Sequence, residues 1–194
     1  MAETAVLVDA NVLFDSNLRD VVIWLKILRL PVRATEEIIS EALRNVGERI
    51  GDPARAERLR DKVVLAMRDA LVEDFQSLIP QLALSAGEDR HVLAAAVKGG
   101  CRVIVTYNLA DFPGSEVERH GVVAVHPDAW LCQLLDERPD LVIRAVDEAS
   151  KLRKRAPRTP LEIVDALARR DRSGAIEFAE RFKRDHVSRD GPLP

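Results

Sequence analysis

The sequence predicts an α/β fold. A central parallel β-sheet carries helices on both faces, a three-layer α/β/α arrangement, and a helical extension follows at the C-terminus. Three observations predict it. Short apolar runs at "TAVLV" (4–8), "RVIVT" (102–106) and "GVVAV" (121–125) lack the alternation of a half-exposed strand and fit strands buried on both faces. Segments with apolar residues at helical spacing lie between them. No strand signal follows residue 125.

In chain order, the run 4–8 stops at Asp9, at the carboxyl end of the predicted first strand. Leu18, Val21, Val22, Leu25 and Leu28 predict a helix over 17–29. Residues 31–34 fit a short second strand. Thr35 is a suitable N-cap for a helix with Ile38, Ile39, Ala42, Leu43 and Val46 on its apolar face. Gly51, Asp52 and Pro53 break it, and a further helix is expected over 54–78. Ser85 and Glu88 have capping-box spacing and predict a helix to Lys98, stopped by Gly99 and Gly100. Pro127 opens a helix carrying Trp130 and Leu134. Residues 141–152 are helical, and "KLRKRAPRTP" is a basic linker. Thr159, Pro160 and Glu162 combine cap, first-turn proline and capping-box glutamate. A last helix is expected over 174–183. The boundary between the α/β domain (1–136) and the extension (137–194) follows from this pattern.

With 194 residues the chain is long enough for one domain with a sizeable core. No apolar run is long enough for a membrane span, and the start lacks the features of a secretory signal. Two cysteines, Cys101 and Cys132, are too few for a disulfide scaffold or a thiolate metal cage. A cytoplasmic setting is expected, with both cysteines as packing residues. The net charge of −3 is uneven: from Glu137 onward 14 basic residues face 11 acidic ones. The acidity of the first 136 residues points toward a cation site.

Three acidic residues stand where a parallel sheet places its chemistry, near the carboxyl ends of strands. Asp9 ends the first strand, and Asp111 lies just beyond "RVIVT". Asp89 sits in the first turn of the helix that leads into that strand, and Glu41 borders an apolar stripe. Any one of them alone reads as a turn former, a helix-dipole partner or a surface charge. Together they repel one another unless a cation neutralises them or protons are retained. All-oxygen donors suit Mg²⁺ or Mn²⁺, and such a site serves phosphodiester hydrolysis. His91, His120, His126 and His186 lack the spacing for zinc or for a nucleophile–base pair, and are expected to be surface or locally hydrogen-bonded groups. Candidate RNA contacts are Arg153, Lys154, Arg155 and Arg158 in the linker, and Arg19, Arg44 and Arg90 near the site's rim.

The blocks "VLVDANVLF", "EEIISEALRNV", "GEDRHVLAAAV" and "VIVTYNLADFP", in that order, resemble a PIN domain. The resemblance is to the VapC-like ribonucleases of bacterial toxin–antitoxin pairs, in a subgroup with a helical C-terminal extension. It covers residues 4–135. It implies an endoribonuclease dependent on Mg²⁺ or Mn²⁺, with Asp9, Glu41 and Asp89 in the catalytic, metal-holding set. The fourth position falls on Asn108 or Asp111. Many members carry an aspartate where this chain has Asn108, and Asp111 is taken as the acidic member. Asn11 and Thr106 are implied as supporting groups. Glu41 would ligate directly or through water, and would position the attacking water. The resemblance further implies products with 5′-phosphate and 3′-hydroxyl ends, a cognate antitoxin and a homodimer. The alternative is a PIN-like protein that binds RNA or a partner without turnover. A haloacid-dehalogenase-like phosphatase would want a second aspartate where Asn11 stands.

Overall fold

In the computed structural model, which describes residues 4–153, 156–169 and 174–189, the three apolar runs become sheet strands. They are β1 (Val6–Val8), β3 (Val103–Val105) and β4 (Val123–Val125). A two-residue β2 (Val32–Arg33) pairs with the free side of β1. The four strands are parallel, in the order β2-β1-β3-β4, with Leu7 opposite Ile104 and Val8 opposite Val105. Leu7, Val8, Ile104 and Val105 are fully buried, as a strand covered on both faces requires.

The strand order fixes where a site can form. From β1 the chain moves one way to β2, then crosses back past β1 to β3 and on to β4. Right-handed crossovers put the β1–β2 connection and the later ones on opposite faces. α2 (Ser16–Ile27) serves the first face and α5 (Arg90–Lys98) the second, where it packs on β1 and β3. The order reverses between β1 and β3, so a crevice opens beyond their carboxyl ends. Asp9 follows β1 directly and Thr106 follows β3. Backbone bonds hold both to the sheet: Asp9 N–H donates to Val105 O (3.1 Å) and Thr106 N–H to Val125 O (3.0 Å).

Some elements follow the sequence pattern and others differ from it for a physical reason. A five-residue helix, α1 (Ala10–Phe14), precedes α2, and the Asp9 side chain caps it by accepting from Ala10 N–H. α3 (Glu36–Ile50) begins at the Thr35 cap and ends at Gly51, whose φ of 66° is the left-handed region glycine tolerates. The helix expected over 54–78 ends early, as α4 (Pro53–Met67). Val72 N–H there donates to Ala34 O (2.8 Å), and Ala34 bridges Leu71 in parallel, so pairing beside β2 outcompetes helix propagation. The capping box at Ser85 and Glu88 does not form. Ser85 bonds Glu116 through its amide (2.7 Å) and hydroxyl, and the chain makes a 3-10 turn at Gly87–Asp89 before α5. Asp89 consequently stands just ahead of the helix, and its side chain caps nothing.

After α6 (Gly114–Val117) and β4 the chain is helical: α7 (Pro127–Glu137), α8 (Pro139–Lys151), α9 (Pro160–Ala168) and α10 (Ile176–Arg189). The Thr159–Glu162 capping box is present at α9. α8 packs on α2 and α7, and α10 on α7 and α9. Asp128 on α7 accepts from the amides of Phe178 (2.8 Å) and Glu177 (3.2 Å) at the start of α10. Phe178 and Phe182 are fully buried with ring centroids 5.7 Å apart. Cys101 and Cys132 are free and buried, and burial pushes each thiol up to about 11, as inert packing groups require. No helix among the described residues is long and apolar enough to cross a membrane.

Candidate active site

The crevice beyond β1 and β3 is built on Asp9. Asp9 is 6% exposed, a position that an aspartate keeps only with partners. Ala10 N–H donates to Oδ1 (2.6 Å), while Asn11 Nδ2 (2.7 Å) and the Thr106 hydroxyl (2.7 Å) donate to Oδ2. Thr106 Oγ1 also accepts from Asn11 Nδ2 (2.9 Å) and Asn108 N–H (3.0 Å), and Asn11 Oδ1 accepts from Tyr107 N–H (3.1 Å). The fully buried hydroxyl thus uses its one donor and both acceptor positions. Asn11 and Thr106 clamp Asp9 and join the β1 and β3 ends.

This network predicts the behaviour of Thr106 variants. Thr106→Val orphans two donors and removes the hydroxyl bond to Asp9. It is expected to lower stability by about 1–3 kcal/mol, read by urea unfolding, and Thr106→Ser is expected to recover most of the loss.

Around Asp9, one pocket is lined by Asn11, Phe14, Glu41, Asn45, Asp89 and Asn108. The acids come from separate elements: Glu41 from α3, Asp89 from the turn before α5. Their proton affinities respond to burial and to one another. Burial raises the pKa of Asp9 and, in smaller part, so does the charge of Asp111. Burial and the Asp9 charge raise that of Glu41. Asp89 is pushed up to about 6, chiefly by burial and then by Asp9, Asp111 and Glu41. Asn108 lines the pocket itself. Asp111 sits at the end of a 3-10 turn, its N–H donating to Asn108 O (3.1 Å), and acts on the pocket through its charge.

His91 was expected to be a surface or locally hydrogen-bonded group; the local bond is present, and the ring also reaches the pocket's acids. Its Nδ1 is 2.8 Å from Glu88 O, which fixes Nδ1 as the donor. Nε2 is buried, lacks a hydrogen bond, and lies 3.7 Å from Glu41 Oε2. A positive charge on this ring would lower the proton affinity of Asp9, Glu41 and Asp89. Sequence reasoning also missed Asn45 and Phe14. Asn45 is four residues after Glu41, on the same face of α3 by helical geometry, so the signal was present.

Of the arginines expected at the rim, Arg19 is buried and donates to Leu13 O (2.8 Å). Arg90 reaches Leu84 O, and Arg44 lines a separate cleft between α3 and α4. Arg153 is committed to structure: it bonds Asn17 Oδ1 (2.7 Å), Ser16 O (3.0 Å) and Asp20. Lys154 and Arg155 lie outside the described residues.

The donor set fits a hard divalent cation. Its groups are carboxylate and amide oxygens, and burial together with mutual repulsion raises the proton affinity of its acids, a cost that a cation would relieve. Among the described residues, no three His, Cys, Asp or Glu side chains already form a metal-holding group. The fit is therefore one of donor chemistry and charge.

Comparisons with known proteins match parts of the chain. The family model for the VapC50 C-terminal domain matches residues 127–184. A Mycobacterium tuberculosis protein carrying the name of a ribonuclease, VapC50, is 40% identical over 100 residues, which make up 50% of this chain and 55% of that protein. The chain spans about half the length of the curated relative it matches. No solved structure matches.

Proposed function

We propose that this chain, a VapC-like protein, is an endoribonuclease dependent on a divalent cation, Mg²⁺ or Mn²⁺, and the toxin of a toxin–antitoxin pair. One observation carries the reading: Asp9, Glu41 and Asp89, from three separated elements, line one pocket at the point where the strand order reverses. Such an arrangement costs electrostatic energy in the absence of a cation.

Asp9, Asp89 and Asp111 would hold the cation, with Glu41 completing the set. Bound there, the cation would supply Lewis-acid polarisation of the phosphodiester and an acidified water. The remaining work falls to the chain. Thr106 and Asn11 hold the Asp9 carboxylate in one orientation and favour its charged form. Glu41, with His91 beside it, positions the attacking water and accepts its proton. Asn108 contacts the phosphate or its water. Cleavage leaves a 5′-phosphate and a 3′-hydroxyl. The protein works in the cytoplasm as a homodimer, and its antitoxin blocks the acidic pocket with a basic side chain. In this reading the catalytic domain spans 1–136 and the helical extension 137–194.

The test is cleavage of a labelled single-stranded RNA pool with Mg²⁺, with Mn²⁺, and with excess chelator. The proposal expects cation-dependent products carrying 5′-phosphates. Asn108, an amide at a position where an acid is common in the resembling family, favours a second reading: an RNA- or partner-binding protein without turnover. RNA binding without cleavage under either cation would establish that reading instead.

A further inference from the structure

The acidic pocket has a neighbour of opposite charge. Phe14, the last residue of α1, lines both the acidic pocket and a second cleft of about 460 Å³, a volume within the range of ligand sites. Arg19, Arg49 and Arg169 line this cleft, against one carboxylate, Asp15. Asp15 is already engaged, accepting from the amides of Asn17 (2.8 Å) and Leu18 (3.2 Å) at the start of α2. The Arg19 guanidinium is desolvated, which lowers its pKa, and one of its arms is spent on Leu13 O. Arg49 and Arg169 are exposed. The Arg49 guanidinium carbon lies 5.4 Å from the centroid of the Phe14 ring. Arg169 follows α9, so the helical extension forms part of the wall.

We propose that this cleft is an RNA subsite, which takes the phosphate and base adjoining the phosphodiester held at the acidic pocket. The inference rests on the ribonuclease reading and adds the substrate's path across the surface. RNA is a polyanion, and a pocket lined by three acids repels it unless positive charge stands nearby. The cleft supplies that charge at the next position along the chain, where phosphate neutralisation by arginine releases counterions. Phe14 and Arg49 present a ring with a guanidinium against it, the pairing on which an unpaired base stacks without sequence preference. An antitoxin's basic side chain, which suits the acidic pocket, would be repelled here. The extension is thereby assigned to substrate binding as well as to packing.

The test compares Arg49→Ala, Arg169→Ala, the double variant and Arg49→Lys with wild type in cleavage of one single-stranded RNA across a salt series. Arg102→Ala serves as control. Arg102 is exposed and precedes β3, at the end of the strand opposite the site. At a single-strand slope of about 0.7 per phosphate contact, each alanine variant is expected to raise KM about fourfold near physiological salt, and the double variant roughly tenfold or more, with little change in kcat. The magnitude of the slope of log KM against log salt is expected to fall by about 0.7 per arginine removed, and Arg49→Lys is expected to restore it. Cation-dependent cleavage with wild-type KM and salt slope in the double variant overturns the subsite alone and leaves the cleft to an acidic segment of a protein partner. Absence of cleavage by wild type overturns the ribonuclease reading and the subsite with it.

Discussion

Asp9→Asn is expected to reduce RNA cleavage by about a thousandfold or more while the protein stays folded. The cation's contribution to phosphodiester hydrolysis amounts to several kcal/mol, and about 4 kcal/mol corresponds to that factor. An amide supplies no charge to offset. The fold tolerates the change because asparagine caps helices as well as aspartate does, so Ala10 N–H keeps its acceptor at Oδ1. The local cost lies at the other atom, where an NH₂ would face Asn11 Nδ2 and the Thr106 hydroxyl. About 1–3 kcal/mol of lost stability is expected from that mismatch. Rates are therefore compared well below both melting temperatures. Substantial residual cleavage by a folded Asp9→Asn protein would remove Asp9 from the chemistry.

Asp89→Asn has the opposite effect on stability and a similar one on activity. The folded-state pKa of Asp89, about 6, stands above its ordinary 3.8. The folded, cation-free protein thus binds a proton more readily than the unfolded chain does. Stability then falls as pH rises through the window from about 4 to about 6, and the penalty is fully present above it. An asparagine never acquires that charge. In chelator, Asp89→Asn is expected to melt above wild type near neutral pH, with the difference closing as the pH falls toward about 4. Added Mg²⁺ is expected to raise wild type and leave the variant nearly unmoved. Cleavage by the variant is expected to be lost. A variant less stable than wild type in chelator at neutral pH would show that Asp89 is stabilised by its surroundings, contrary to the raised pKa.

What the chain revealed before folding depended on distance along it. The strands of the sheet's centre were legible because burial on both faces leaves an unbroken apolar run, as in Leu7 and Ile104. Asp9, Glu41 and Asp89 were legible because strand ends and helix starts can be located from such runs. Asn108 and Asp111 stayed ambiguous. Which of them lines the pocket depends on a 3-10 turn at Leu109–Asp111 that no periodicity announces. The place of His91 beside Glu41 was not legible because it follows the turn at Gly87–Asp89, where Ser85 bonds Glu116, 31 residues away, in place of its capping box. The early end of α4 has the same kind of cause, a bridge between Ala34 and Leu71. Tertiary partners overrode local spacing in each case. The cleft at Phe14 was invisible for that reason too, since α1, α3 and α9 meet there only in the fold.

The central claim is that the acidic pocket holds a hard divalent cation, and Mn²⁺ binding tests it without reference to turnover. Electron paramagnetic resonance of free Mn²⁺ is recorded while wild-type protein, Asp9→Asn and Asp89→Asn are titrated in at neutral pH. The account predicts that wild type removes the free-ion signal saturably, and that both variants leave most of it in place. An undiminished signal with wild type, or equal uptake by all three proteins, would contradict it.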